Sequence, residues 1–545
     1  MPQREFVPQH YELVTDSVLA KESVDLKLIS RDQDSEFQFT FQPLRPGLFR
    51  TTFTSPTHPL PPHPSASIPT ANLRNADIRT STTDKQKVIE IDDVKATINW
   101  TNVPIVTLHV AGQQKPIHAD LDFRSYAVDA AGIAHYTRYK RDTLHVGLGE
   151  KAAPMNLANR HFQIAATDCF GYDIYRTDPL YKHIPLLINA TPQGCVGIFS
   201  TSHSRGEYAV GSEIDGLWGH FKVYRQDYGG LEEYLIVGKS IEDVVRIYAS
   251  VVGYPLLVPR WAFGYIAGGY KYTMLDEPRS CDALMSFAEK LKQHDIPCSA
   301  LQMSSGYTFA ETEPKIRNVF TWNRHRFPDP EKFIADYHKE GIRLIANLKP
   351  YLLEQHPEYQ TLVSAGALFT DPQTKSSGVA RLWSAGGGES GNGGHIDFTS
   401  KFGFQWWLEG IKELRRIGIE GMWNDNNEYV IPNDDWLCAG DSSSTSSSGN
   451  KVGLWGRSVH TELMAKSSHD ALLEVKPDER PFVLTRSATA GTMRYAASSW
   501  GGDNVTSWDS MKGANALSLN AGMSLIQVIL HIFIIVKLIG TVLRP

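Results

Sequence analysis

Two short segments toward the C-terminal end of the chain each set a carboxylate among aromatic and amide side chains: Gly421 to Glu428 (GMWNDNNE) and Trp500 to Asn504 (WGGDN). Cleaving a glycosidic bond needs one carboxylate that attacks or stabilises an oxocarbenium-like carbon, and a second, protonated carboxyl that donates to the leaving oxygen. Asp425 and Asp503 suit those two roles, and a sugar-cleaving pair is the chemistry they suggest. Taken singly, an aspartate near a strand end is more often a helix N-cap or half of an ion pair. To serve one bond the two carboxyl groups would have to meet, so folding has to bring distant parts of the chain together.

The elements that would position them change character along the chain. Between about residues 15 and 250, apolar residues come in short runs rich in Val, Ile, Thr, Phe and Tyr, such as Phe37 to Phe41 and Val106 to Val110, separated by turn formers. This reads as an N-terminal antiparallel β-sandwich over residues 1–254, interrupted by an exposed Pro-rich loop from Ser55 to Pro69. After Gly253-Tyr254-Pro255, short β-like runs alternate with amphipathic helical stretches, the pattern of βα units around a parallel sheet. Strands are expected at Ala262 to Ile266, Ser299 to Gln302, Ile342 to Leu348, Ile419 to Trp423 and Phe482 to Thr485, with helices at Asp282 to His294 and Lys401 to Ile417. The expected fold class is therefore multidomain, β followed by α/β, with a (β/α)8-type barrel over residues 255–525 that is incomplete at its C-terminal end, and an aberrant hydrophobic tail over 526–545. In such barrels the chemistry sits at the C-terminal ends of the strands, where both aspartates would fall. Gly386 to Gly394 and Ser442 to Asn450 read as flexible loops; the second reads as a solvated insertion or as part of a site rim.

Composition narrows the class. In 545 residues, 41% hydrophobic and 21% charged content describe an ordinary globular protein, and 10% aromatic residues with 12 Trp are compatible with sugar stacking or simply with core. A net charge of -6 without a basic patch argues against nucleic acid as a partner. The five cysteines (Cys169, Cys195, Cys281, Cys298, Cys438) are scattered, with no C-x-x-C pair and no His at ligand spacing, so neither a disulfide framework nor a metal site is expected. The N-terminus lacks an apolar leader, which points to the cytoplasm, and three Asn-x-Thr tripeptides carry no weight without a secretory route.

From about Gly147 to Leu525 the chain resembles glycoside hydrolase family 31, a family of retaining α-glycosidases. The resemblance is carried by Gly147-Leu148-Gly149-Glu150, Asp178-Pro179-Leu180-Tyr181, Gly253-Tyr254-Pro255, Pro259 to Gly264, Phe327 to Pro330, Asp397-Phe398-Thr399 with Trp406-Trp407, the Asp425 block, and Arg486-Ser487 leading to Trp500 to Asn504. It implies Asp425 as nucleophile and Asp503 as general acid/base, with no metal or organic cofactor and an oligosaccharide or α-glycoside as substrate. It further implies that Arg494, with its fixed fork of donors, holds substrate hydroxyls, that Trp383 and Trp500 wall the sugar subsite, that Asp168 reaches into the barrel mouth, and that Asn426 faces the pocket in place of the family's usual Met. Core packing for either Trp, and a turn or surface contact for Asp168, remain open. Glucose- or xylose-type glycones are both expected, because Ser304 and Gly306 stand where the family usually carries two acidic residues that bind glycone hydroxyls. An α-1,4-glucan lyase would share the nucleophile, and an inactive truncated product is the non-enzymatic alternative. After Leu525 the resemblance stops. The ending reads as an altered 3′ end of the coding sequence, as a tail anchor, or as an ordinary strand and helix. The apolar run Leu525 to Ile539, with His531 and Lys537 inside it, falls short of the ~20 residues that span a bilayer, so a membrane is not an expected partner. The oligomeric state is open.

Overall fold

The computed structural model describes residues 5–14, 22–28, 36–62, 78–217, 219–382, 391–440, 450–505, 507–526 and 528–530. Trp383, residues 63–69 of the Pro-rich loop, residues 386–390 of the Gly-rich patch, residues 442–449 of the Ser-rich patch and residues 531–545 of the tail lie outside the described residues. Two compact units emerge: Met1–Tyr254 with Gly453–Gly456 and Asp503–Ile526, and Pro255–Val452 with Arg457–Gly502 and Gln527–Pro545.

The first unit is antiparallel β, as its alternating sequence expects. Along Gln38–Arg45 every second residue is buried, Phe39 and Phe41 among them, and Ile105–Val110 alternates in the same way. The strands form an eight-stranded and two five-stranded sheets whose inner faces share one core, including Phe39, Phe53, Ile89, Leu108, Tyr126, Tyr208 and Tyr224. Strand Gly194–Ser200 is buried at every position. Its second face is covered by helix Ile241–Val252, which comes so close that a Cβ on Gly197 would lie 2.8 Å from Val244. That helix starts at a capping box in which the Ser240 hydroxyl accepts from the Asp243 N–H and the Asp243 carboxylate accepts from the Ser240 N–H.

The second unit is built on parallel strands in sequence order: β1 Ile266–Gly268, β2 Ala300–Met303, β3 Arg343–Leu348, β4 Gly421–Asn424, β5 Phe482–Thr485, β6 Ser498–Trp500 and β7 Val528–Leu530. Among the described residues the sheet is open, with β1 and β7 as unpaired margins rather than neighbours, which is an incomplete version of an eight-stranded barrel. Between the strands run α1 Ser280–Gln293, α2 Pro330–Lys339, α3 Lys401–Arg416 and α4 Ser458–Val475. In α3 the helical spacing of Trp407, Leu408, Ile411 and Leu414 gives one buried stripe, and the Ser400 hydroxyl caps the Gly403 N–H.

One expected strand is corrected. Arg260–Phe263 forms a 3₁₀ turn, and β1 begins only at Ile266. Pro259 explains the shift: its carbonyl accepts from the Ala262 N–H at 3.0 Å, and the Gly264 N–H closes back on Trp261 O at 3.1 Å, so the chain coils before it can extend.

Candidate active site

Parallel strands in register place residues at matching positions on the same face, and side chains alternate with period two. Ile345 pairs with Gly421, which pairs with Phe482; two residues further on, Asn347 pairs with Trp423, which pairs with Leu484. The first row is tight on one face: a Cβ on Gly421 would meet both Ile345 and Phe482 at 2.9 Å. One more step along the same face, past the strand ends, brings Lys349, Asp425 and Arg486 into a row. The ladder persists that far, since the Asp425 N–H donates to Leu348 O and the Arg486 N–H to Asn424 O, both at 2.9 Å.

The side chains meet as this register requires. Lys349 Nζ lies 2.6 Å from Asp425 Oδ2, and Asn347 Nδ2 donates to the same oxygen at 3.0 Å. Oδ1 accepts from the Asn426 N–H at 3.0 Å and lies 3.4 Å from Arg486 Nε. Asp425 is 8% exposed. Burial alone would push its carboxyl up, but the charges of Lys349 and Arg486 and the hydrogen bond from Asn347 outweigh it and hold the group well below the usual carboxylate range. Asp425 is thus a buried carboxylate kept ionised at a strand's C-terminal end.

The opposite face faces helices. Asn424 Oδ1 accepts from Ser468 on α4 at 3.2 Å, and Ser468 Oγ in turn accepts from the Trp407 indole on α3 at 2.9 Å. Beyond Asp425 the backbone turns left-handed at Asn426 (φ 50°). Asn427 then acts as a staple, donating to Thr485 Oγ1 at 2.9 Å and accepting from the Ser487 N–H at 2.9 Å. The side chain of Asn426 accepts from Lys349.

Arg494 closes a 3₁₀ turn, Thr492–Arg494, and its Nη2 donates to buried Glu462 Oε1. Burial pushes the Glu462 carboxyl up, against the pull of Arg494 and of the Thr489 hydroxyl 2.9 Å from Oε2. Trp500, 1% exposed, packs edge-on against Trp423 with ring centroids 5.5 Å apart, inside the apolar core of the second unit with Ile345, Phe482 and Leu484. Ser304 is buried just after β2, and Gly306 follows in a turn where a Cβ would stand 2.4 Å from Thr273 O.

Asp503 and Asp168 belong to the first unit. The Asp503 carbonyl accepts from the Gly171 N–H at 2.6 Å, its own N–H donates to Tyr181 Oη at 3.2 Å, and Asn504 forms a parallel bridge with Tyr172. These bonds tie the segment after Trp500 to the loop that follows Asp168. Both aspartates are half-buried.

Among the described residues, His161, Glu207 and Glu213 offer ligand atoms within 4.8 Å of one another. The Arg225 guanidinium already occupies that cluster, donating to Glu207 Oε1 at 3.1 Å and to Glu213 at 2.7 and 3.0 Å, and a metal ion would have to displace it. Also among the described residues, no helix is long and apolar enough to cross a membrane. Sequence reasoning missed Asn347, Lys349 and the Arg486–Glu428 pair. The period-two phase running from Ile345 through Asn347 to Lys349, matched to Trp423 and Asp425, was the signal that would have found the first two.

The profile of the Glycosyl hydrolases family 31 TIM-barrel domain matches residues 255–531, just over half of the chain, and that of the Glycosyl hydrolase 31 N-terminal galactose mutarotase-like domain matches residues 38–208. The chain is 26% identical over 381 residues to Alpha-glucosidase 2 of Bacillus thermoamyloliquefaciens, a match covering 69% of this chain and 45% of the relative. It is 28% identical over 399 residues to the Alpha-glucosidase of Saccharolobus solfataricus, covering 70% and 54% respectively. The chain thus spans about half the length of these relatives. In fold it is similar to the Flavobacterium johnsoniae GH31 dextranase complexed with isomaltotriose, with a TM-score of 0.78, 19% identity, and coverage of 95% of this chain and 59% of that one.

Proposed function

Since the chain belongs to glycoside hydrolase family 31, we propose that it carries the machinery of a retaining α-glycosidase acting on terminal α-linked glucose- or xylose-type residues, with Asp425 as nucleophile and Asp503 as general acid/base. The single observation that supports this reading best is the state of Asp425: a carboxylate buried at the end of β4 and held ionised by Lys349, Arg486 and Asn347. Three donors on one buried carboxylate would serve a structural aspartate as well; what favours the functional reading is that they converge at the C-terminal end of a parallel strand, where barrels place their chemistry.

In the first step an Asp425 oxygen forms a bond to the anomeric carbon as the bond to the leaving oxygen breaks, and the Asp503 proton passes to that oxygen. In the second, Asp503 takes a proton from water, the hydroxide oxygen bonds to the anomeric carbon, and the ester to Asp425 breaks. Two inversions return the sugar in its original configuration. Arg494, Trp500, Asn426 and Asp168 are assigned to the glycone side of the site, as is Trp383. Arg494 would act from the position in which Glu462 holds it, and Trp500 by shaping the wall from within the core.

Azide rescue tests the assignment. With an aryl α-glycoside as substrate, Asp425→Gly is expected to lose turnover and to form the β-glycosyl azide when azide is added; Asp503→Ala is expected to form the α-glycosyl azide. Loss of a general acid costs typically ~10²–10⁴-fold on substrates with poor leaving groups. Release of the β-anomer by the wild-type chain, or an Asp503→Ala variant with unchanged turnover, would defeat the pair. An anhydro-sugar with a new double bond in place of a reducing sugar would move the assignment to elimination.

Xylose-type glycones are favoured as a second reading by Ser304 and Gly306. Neither residue offers the paired acceptor oxygens with which a carboxylate would hold additional hydroxyls, and the backbone at Gly306 leaves no room for a side chain. Comparing kcat/KM for aryl α-glucoside and aryl α-xyloside decides between them.

A further inference from the structure

Lys349 carries a full charge into a place that water hardly reaches. It is 7% exposed, and burial pushes its ammonium down from its ordinary value, an effect partly offset by the charge of Asp425. The two cations beside Asp425 are not equivalent. Arg486 is gripped by Glu428 through two hydrogen bonds of 2.7 Å, so a second carboxylate already meets its charge, and it touches Asp425 Oδ1 only at 3.4 Å. Lys349 sits 2.6 Å from Oδ2 and also donates to the Asn426 side chain. Arg317 repels it electrostatically from further off. Asn347 contributes a neutral donor to Oδ2 at 3.0 Å.

We propose that Lys349 is a positioning residue for the nucleophile: its ammonium clamps Asp425 Oδ2 and the Asn426 side chain together, keeps Asp425 an anion, and ties the nucleophile's reactivity to the protonation of a lysine just past the end of the neighbouring strand. This rests on the reading of Asp425 as nucleophile. Two cations beside one carboxylate make it a weaker base than an isolated aspartate, and neutralising Lys349 at high pH releases both the charge and the clamp. The charged groups facing this centre from the adjoining elements are Lys349 after β3, Arg486 after β5 with its partner Glu428, and Arg317 acting on Lys349.

The test reads the carboxyl group directly. In the full chain labelled with [¹³Cγ]aspartate, the Asp425 resonance is identified by its loss in Asp425→Asn. In the wild type it is expected to remain that of the ionised form down to pH 4 and to move at alkaline pH in step with the Lys349 ¹⁵Nζ resonance. In Lys349→Met its titration is expected to rise by at least about one pH unit, as removal of a cation at contact distance requires, whereas Lys349→Arg keeps it low. An unchanged Asp425 titration in a folded Lys349→Met overturns the proposal. So does the absence of a joint alkaline step in the wild type, which needs no variant to fold. The underlying reading is checked separately by labelling with a glycone-configured cyclic epoxide and peptide mapping. Labelling of Asp425 at the same rate and with the same pH profile in wild type and Lys349→Met leaves the nucleophile standing and removes Lys349. Labelling elsewhere, with the resonance shifts intact, removes the nucleophile and leaves the clamp.

Discussion

Arg486 and Glu428 are joined by two parallel hydrogen bonds, Nε to Oε1 and Nη2 to Oε2, both 2.7 Å, with each side chain only 2% exposed. The Ser487 hydroxyl adds a third bond to Oε1 at 3.1 Å. A pair buried this deeply gains little over an apolar replacement, but breaking it leaves an uncompensated charge. Glu428→Gln is therefore expected to cost ~3–5 kcal/mol of stability, toward the lower end to the extent that Asp425, 3.4 Å from Arg486 Nε, meets the freed charge. The denaturant midpoint should fall sharply in Glu428→Gln and recover in part in Glu428→Gln/Arg486→Met. Additive losses in the double variant would mean the pair is not coupled.

The fold class was readable because its signals are local. Phe482–Thr485 and the body of α3 lie where their sequence patterns place them, since period two and helical spacing are set by nearest neighbours. The strand expected at Ala262 to Ile266 starts only at Ile266, because the apolar residues Ala262 and Phe263 satisfy either pattern and only the Pro259 carbonyl decides. What holds Asp425 in place was not legible in the sequence. Lys349 stands 76 positions before Asp425 in a run that reads as an ordinary strand end. Among the amides beside Asp425 is Asn427, whose bonds to Thr485 and Ser487 make it a fastening, a role its spacing does not reveal. Trp500 carries the aromatic signature of a sugar wall and is packed into the core against Trp423.

In the first unit His135 lies between two buried carboxylates, with Nε2 3.0 Å from Asp120 Oδ1 and Nδ1 2.6 Å from Glu233 Oε2, under the stacked ring of Tyr126 at 4.7 Å. His118 also reaches Asp120 at 3.2 Å. Burial opposes the imidazolium, but Glu233 and Asp120 prevail and raise His135 from 6.5 to about 10. A pKa raised on folding stabilises fully below the unfolded value and is lost as pH climbs through the folded one. The stability difference between wild type and His135→Gln is expected to be flat below pH 6.5 and to shrink up to about pH 10, by on the order of 5 kcal/mol at ~1.36 per pH unit. Urea midpoints at several pH values check this; a difference independent of pH would refute it.

Lys222, in the same unit, titrates with the opposite sign. Its Nζ donates to Asn189 Oδ1 at 3.0 Å, an oxygen that also lies 2.7 Å from His145 Nδ1. Burial, aided by the charge of Lys140, pulls the amine down from 10.5 to about 7. Here the unfolded chain binds the proton more tightly, so folding is penalised fully below pH 7 and the penalty fades as pH rises to 10.5. Lys222→Met is expected to be more stable than wild type at pH 6, by on the order of 2–4 kcal/mol after loss of one hydrogen bond, and the advantage should vanish near pH 10. Thermal melts of both proteins across that range are the measurement.

Gly306 has no room for a side chain. A Cβ there would stand 2.4 Å from the carbonyl oxygen of Thr273 and 2.7 Å from its carbon, and backbone yields less readily than a flexible side chain. The turn is also pinned from the far side, where Arg326 Nη1 donates to Gly306 O at 2.9 Å and Nε binds Asp276 at 2.8 Å. Gly306→Ala is expected to cost ~1–3 kcal/mol through forced backbone movement, and Gly306→Asp at least as much, so an acidic residue cannot simply be grafted back at this position to favour a glucose-type glycone. Ser304→Asp, two residues earlier at the start of the same turn, is the substitution expected to shift the ratio of kcat/KM for aryl α-glucoside over aryl α-xyloside upward. Melting temperatures of the three variants, with that ratio measured for Ser304→Asp, separate the steric effect from the chemical one. A Gly306→Asp variant as stable as wild type would show that Thr273 gives way.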